Sequence, residues 1–178
     1  MIQKKENVSP FSNASRNSYV RRHITEALVG LLKEKPMQEI SISEITERAG
    51  VGRMSFYRNY NSKEDVVRAY LSDMVGGWEE EYKASGKSSN SELYGSLFSH
   101  LKERADFFLL LEKRNLMNLF LDVLLERAGP KPSYDNFWAY TTSFIAYGTY
   151  GWIREWIARG MKESAETMAA TLSSYNMK

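Results

Sequence analysis

Residues Ile42–Lys63, ISEITERAGVGRMSFYRNYNSK, decide how the rest of the chain is read. Ile42, Ile45 and Ala49 recur at helical spacing and give a first short helix one apolar face. Gly50 closes that helix, because glycine enters the left-handed conformation without a Cβ penalty. After Val51 and Gly52 a second helix begins, with Phe56 and Tyr60 four residues apart on its inner face. Its outer face carries Arg53, Ser55, Tyr57 and Asn59, a row of donors without an acid, which suits phosphates and base edges. A helix, a glycine turn and a donor-faced second helix over about residues 41–60 form the helix-turn-helix pattern, whose second helix enters the DNA major groove.

Working outward, Asn17 or Ser18 caps a preceding helix with the apolar stripe Val20, Ile24, Ala27, Leu28, Leu31 and Leu32. Pro36 ends it, since the residue before a proline is pushed out of the helical region. Arg21 and Arg22 lie off the stripe, where contact with the DNA backbone is expected. Ser41 stands where its hydroxyl caps the next helix, and with Ser43 it places hydroxyls at a helix start that attracts phosphate. On the other side Ser62 caps a fourth helix, with Glu64 and Asp65 in the turn where the dipole favours acids. Its stripe is Val66, Val67, Tyr70, Leu71, Met74 and Trp78, and Gly76-Gly77 marks a place for a bend. Residues 1–16 read as an arm whose Lys4, Lys5 and Arg16 suit phosphate or have no role at all.

The stretch ISEITERAGVGRMSFYRNYNSKEDV resembles the DNA-binding segment of the TetR family of bacterial transcriptional regulators. The likeness runs from the first amphipathic helix through the AGV turn and the SFYRNY run to the Ser-Lys-Glu opening of the fourth helix. It implies that Arg53, Ser55, Tyr57 and Asn59 occupy DNA-facing positions and that Lys63 contacts a phosphate. It also implies a homodimer joined through a four-helix contact, an inducer pocket in the C-terminal half, and most often repression. Two residues depart from the pattern. Gly52 replaces a small hydroxyl or alanine, and Met54 replaces what is often glycine or alanine.

Beyond a polar loop at Ala84–Ser91, helices are expected at about 91–104, 105–113, 115–128, 133–160 and 164–175. No period-2 segment appears, so the expected fold is all-α. A three-helix helix-turn-helix domain with its connector occupies 17–78, and a helical bundle for ligand binding and dimerisation occupies 79–178. Phe98, Phe107, Phe108, Met117, Phe120, Tyr140, Phe144 and Tyr147 serve either as bundle core or as an apolar pocket with polar tips. Gly148, Gly151 and Trp152, with Met168 and Leu172 of the last helix, suggest a self-complementary dimer face.

The net charge of +2 over 178 residues hides an asymmetry: residues 1–63 hold 11 Lys and Arg against 6 acids, whereas the remainder is net −3. A basic front and a mildly acidic back favour a nucleic-acid-binding unit joined to a unit with another task. There is no cysteine, hence neither disulfide framework nor thiolate metal site. The longest uncharged run, Asn136–Ile153, carries several threonines and two glycines and is a little short for a bilayer, so a buried helix is expected. The polar N-terminus lacks the apolar run of a signal peptide, and a cytoplasmic location is expected. His23 and His100 each stand alone, no spaced metal set or phosphate loop appears, and neither enzyme chemistry, a metal nor a cofactor is expected. The partners expected are an operator in double-stranded DNA, a second copy and a small apolar or aromatic ligand, with no membrane. The competing reading is a co-regulator or nucleoid-associated protein of the same fold that acts through protein partners.

Overall fold

The computed structural model describes residues 13–175; Lys4 and Lys5 of the expected arm and the side chain of Tyr175 lie outside the described residues. Within them stand nine α-helices and one 3-10 turn, with no strand. The helices are α1 (Asn13–Glu34), α2 (Ile42–Ala49), α3 (Arg53–Tyr57), α4 (Lys63–Ala84), α5 (Asn90–Lys102), α6 (Ala105–Lys113), α7 (Met117–Ala128), α8 (Asn136–Ala158) and α9 (Ala165–Tyr175), and the 3-10 turn is Met37–Glu39. The chain divides into two compact units, with the boundary between Val66 and Val67 in α4.

In the first unit α1, α2 and α3 pack on one another. Ile24, Leu28, Leu32, Ile45 and Phe56 are fully buried between them, as the stripes require. Both ends of α2 and the start of α4 are closed by local devices. Ser41 and Glu44 form a reciprocal capping box on α2, and Gly50 adopts φ 64° at its C-cap. At α4 the Asp65 amide donates to the Ser62 hydroxyl (3.0 Å) while the Asp65 carboxylate accepts from the Ser62 amide (3.1 Å).

In the second unit α9 lies along α5, and α8 packs on α6 and α7. Phe108 meets Phe120 edge-on at 5.2 Å, and Phe98 meets Trp156 at 5.4 Å. At Gly76-Gly77, where the sequence allows a bend, α4 runs on without a break. Gly76 is needed for another reason, because a Cβ at that position would stand 2.7 Å from Arg127 Nη2. The Arg127 guanidinium crosses there from α7, donating to the Ser72 carbonyl (2.6 Å), the Ser72 hydroxyl (3.1 Å) and the Glu79 carboxylate (2.8 Å). Arg127→Ala and Gly76→Ala should therefore cause one shared defect, each costing about 1–3 kcal/mol in urea unfolding. The double variant should lose no more than the worse single one; additive losses would separate the two residues.

His100 on α5 is buried, with Nδ1 3.3 Å from Arg104 Nη1. Burial first, and then the Arg104 charge, hold its pKa below the ordinary 6.5. The folded chain thus binds this proton less readily than the unfolded chain does. Its contribution to stability is complete above pH 6.5 and is lost as pH falls below that value. Thermal unfolding between pH 8 and 5 should show this slope, and His100→Gln should flatten it.

The long helix α8 departs most from the sequence reading. Tyr140, Phe144 and Tyr147, expected with the pocket residues, point outward, with Phe144 80% exposed. The cause is that α8 is apolar around most of its circumference, so periodicity does not select its inner side. The buried line is Ala146, Ile153, Trp156 and Ile157. Met168 and Leu172, expected at a dimer face, are buried within the protomer instead, because α9 turns its stripe onto α5.

Candidate nucleic-acid interface

The helix α3 is only five residues long, and its position is set from behind. Phe56 is completely buried and Tyr60 nearly so, their rings 5.8 Å apart. Arg21 Nε donates to the Tyr60 hydroxyl (3.4 Å), which gives that buried phenol a partner. The N-cap, Gly52, makes no side-chain hydrogen bond, as its lack of a hydroxyl requires. Ahead of α3, Glu44 accepts from Lys35 and from Ser41, which together pull its carboxyl down to about 2.

Of the seven residues expected at DNA, Ser41, Arg53 and Tyr57 are exposed, whereas Ser43, Ser55, Asn59 and Lys63 are half-buried. Arg53 and Tyr57 are exposed on the outside of α3, with an Arg53 guanidinium nitrogen donating to the Ser43 hydroxyl. Ser41 is exposed but spends its hydroxyl in the α2 cap, donating to Glu44 Oε2 (2.9 Å) and accepting from the Glu44 amide (3.2 Å). Ser55 and Asn59 are half-buried, and the Asn59 amide folds back onto the Ser55 carbonyl (2.8 Å). That bond closes α3 from its C-terminal side. Met54 and Arg58 were not among the expected residues, yet both are exposed beside Arg53 and Tyr57. Helical spacing carries the signal: Met54 precedes the buried Phe56 by two residues, about 200° around the helix, and Arg58 follows Met54 by one turn.

Lys63 answers a question raised by the sequence, namely why a lysine opens a helix whose dipole opposes it. Its ammonium donates to the carbonyls of Met37 (2.7 Å), which opens the 3-10 turn, and Ile40 (2.6 Å), which caps it. Met37 and Ile40 are buried residues, and the sequence offers no hint of a partner 23 or 26 positions away. Lys63→Ala should lower stability by about 1–3 kcal/mol, the cost of leaving the buried Ile40 carbonyl without the ammonium and the Met37 carbonyl with the Ile40 amide alone. It should also leave the salt dependence of DNA binding unchanged. An unaltered stability with a shallower salt slope would assign Lys63 to phosphate instead.

Residues 24–70 match the model for bacterial regulatory proteins of the tetR family, and residues 89–178, half of the chain, match that for a transcriptional regulator C-terminal region. The chain belongs to the TetR family. An uncharacterized HTH-type transcriptional regulator of Bacillus subtilis, YxbF, is 39% identical over 54 residues, spanning 30% of this chain and 14% of that protein. Among solved structures, the FadR of Thermus thermophilus, a TetR-family repressor in complex with lauroyl-CoA, superposes with a TM-score of 0.53 at 19% identity over 85% of this chain and 90% of that one. The FadR of B. subtilis with stearoyl-CoA gives 0.51 at 18% identity over 84% and 94%. These likenesses show the same fold. The TetR-family chain is therefore a helix-turn-helix regulator whose N-terminal match covers α2 and α3 entirely.

Two surface openings among the described residues of the C-terminal half differ in character. One, of about 490 Å³, is walled by Gly151, Trp152, Trp156 and Met168 with Glu155 and Arg159 at its rim. The other, of about 380 Å³, is polar and includes Trp78, Glu92, Ser96 and His100. Phe107, Phe108 and Phe120 gather between α6 and α7, with Tyr150 of α8 6.4 Å from Phe120, and Met117 is buried at the start of α7. Phe98 stands apart from them on α5, against Trp156. Gly148 and Gly151 are exposed on α8 and Trp152 is half-buried beside them.

No helix of the described residues is long and apolar enough to cross a membrane.

Proposed function

We propose that this protein is a homodimeric, sequence-specific DNA-binding regulator, a repressor released by a small apolar ligand. The observation that carries the reading is the outer face of α3, where Arg53, Met54, Tyr57 and Arg58 are exposed together without an acid while Phe56 anchors the helix from behind. Such a face offers cations and donors to a duplex from a rigidly packed support. Dimerisation is supported by α8, whose Phe137, Trp138, Tyr140, Phe144, Ile145 and Tyr147 leave a wide apolar strip in water. Two recognition helices reading half-sites one DNA turn apart multiply a weak single contact.

The ligand is proposed to enter the aromatic cluster of Phe107, Phe108, Phe120 and Tyr150. The Tyr150 hydroxyl is the polar tip there, and burial raises its pKa. Acyl-CoA, which the FadR neighbours hold, is the first ligand to try. Release requires the ligand to bind the DNA-incompetent state better than the competent one.

The test is selection of duplexes from a random library and from the gene's own upstream DNA, followed by anisotropy titrations at several salt concentrations. Specific, salt-sensitive binding that Arg53→Ala weakens by about 1–3 kcal/mol is expected. Binding without sequence preference, together with a protein partner captured by the C-terminal half, would favour the co-regulator reading.

A further inference from the structure

Met54 is the one apolar side chain on the outer face of α3, and it is 67% exposed. Its neighbours there are Arg53, Tyr57 and Arg58, and residues 53–63 contain no acid. A cation-flanked surface of this kind is complementary to a nucleic-acid duplex rather than to an apolar protein groove. A thioether side chain gains nothing from phosphate or from a base-edge donor. The apolar group that a major groove offers is the C5 methyl of thymine. Methionine, unbranched and polarizable, adapts to such a contact.

We infer that Met54 is a specificity-determining residue, packing its side chain on one thymine methyl in each half-site of the operator. The inference rests on the proposed reading that α3 enters the major groove, and adds which base this departure from the family pattern selects. Arg53 and Arg58 then supply attraction and position, whereas Met54 supplies discrimination at a fixed base pair.

The experiment starts from a duplex enriched by the full-length protein from a random library. Each thymine in turn is replaced by deoxyuridine, which removes only the C5 methyl and leaves every hydrogen-bonding group in place. Wild-type protein should lose about fourfold in affinity at one position of each half-site, the worth of one buried methyl. Met54→Ala should bind the thymine and deoxyuridine duplexes equally, and Met54→Leu should restore most of the difference. Because Met54 is exposed, neither substitution should alter the thermal unfolding of the free protein. The inference is overturned if every deoxyuridine duplex binds wild type as well as its parent does, if no fixed thymine is enriched, or if the loss persists in Met54→Ala. Failure to enrich any sequence would instead bring down the regulator reading itself, and the inference with it.

Discussion

Phe144→Asp should yield a folded monomer that binds its DNA roughly 10²- to 10⁴-fold more weakly than the wild type. Phe144 is 80% exposed in the protomer, so a charge there meets water and should change the protomer's own stability by less than about 0.5 kcal/mol. In an interface the same carboxylate would be buried against Phe137, Tyr140 or Tyr147 of a second copy, at a cost the contact cannot offset. The loss of DNA affinity then follows from losing the second half-site, not from any change in α3. Light scattering, far-UV circular dichroism and anisotropy on one sample separate these steps. A Phe144→Asp protein that remains a dimer with unchanged DNA affinity would remove α8 from the interface.

Phe56→Ala is expected to be the most damaging single change in the first unit. Phe56 is 0% exposed and packs on Tyr60 and Tyr57 at 5.8 and 5.7 Å. Truncating a buried phenylalanine costs about 3–5 kcal/mol, from lost burial and from the cavity left behind. A unit this small holds stability of the same order, at about 0.05–0.15 kcal/mol per residue. DNA binding should vanish while the second unit stays folded. Hydrogen exchange should show α2 and α3 unprotected and α5 to α9 protected, since their aromatic core does not include Phe56. If α2 and α3 kept full protection while DNA binding disappeared, Phe56 would have to be a contact residue rather than an anchor.

Wherever a structural device is local, the sequence announces it. Ser41 with Glu44, Gly50, and Ser62 with Asp65 sit within a few residues of the helix ends they close. The helix-turn-helix, the all-α class and the five C-terminal helices within a few residues of their ends are therefore readable without coordinates. Outward placement of Arg53 and Tyr57 follows from helical spacing against Phe56, and the same spacing exposes Met54 and Arg58. Asn59 illustrates the limit of spacing: its position is as expected, but its amide is turned back onto Ser55.

By itself, then, the sequence determined the order of the helices, the short helix α3 and the caps at Ser41, Gly50 and Ser62, because each depends on residues a turn or less apart. The cap it placed at Asn17 or Ser18 lies inside α1, which begins at Asn13. Tertiary structure decided which side of α8 faces inward, because a helix apolar all round has no preferred side until α6 and α7 choose one. It also decided that Lys63 serves the carbonyls of Met37 and Ile40 and that Gly76 makes room for Arg127. Those pairings join residues more than twenty positions apart, and no local pattern encodes a partner that only chain folding brings near.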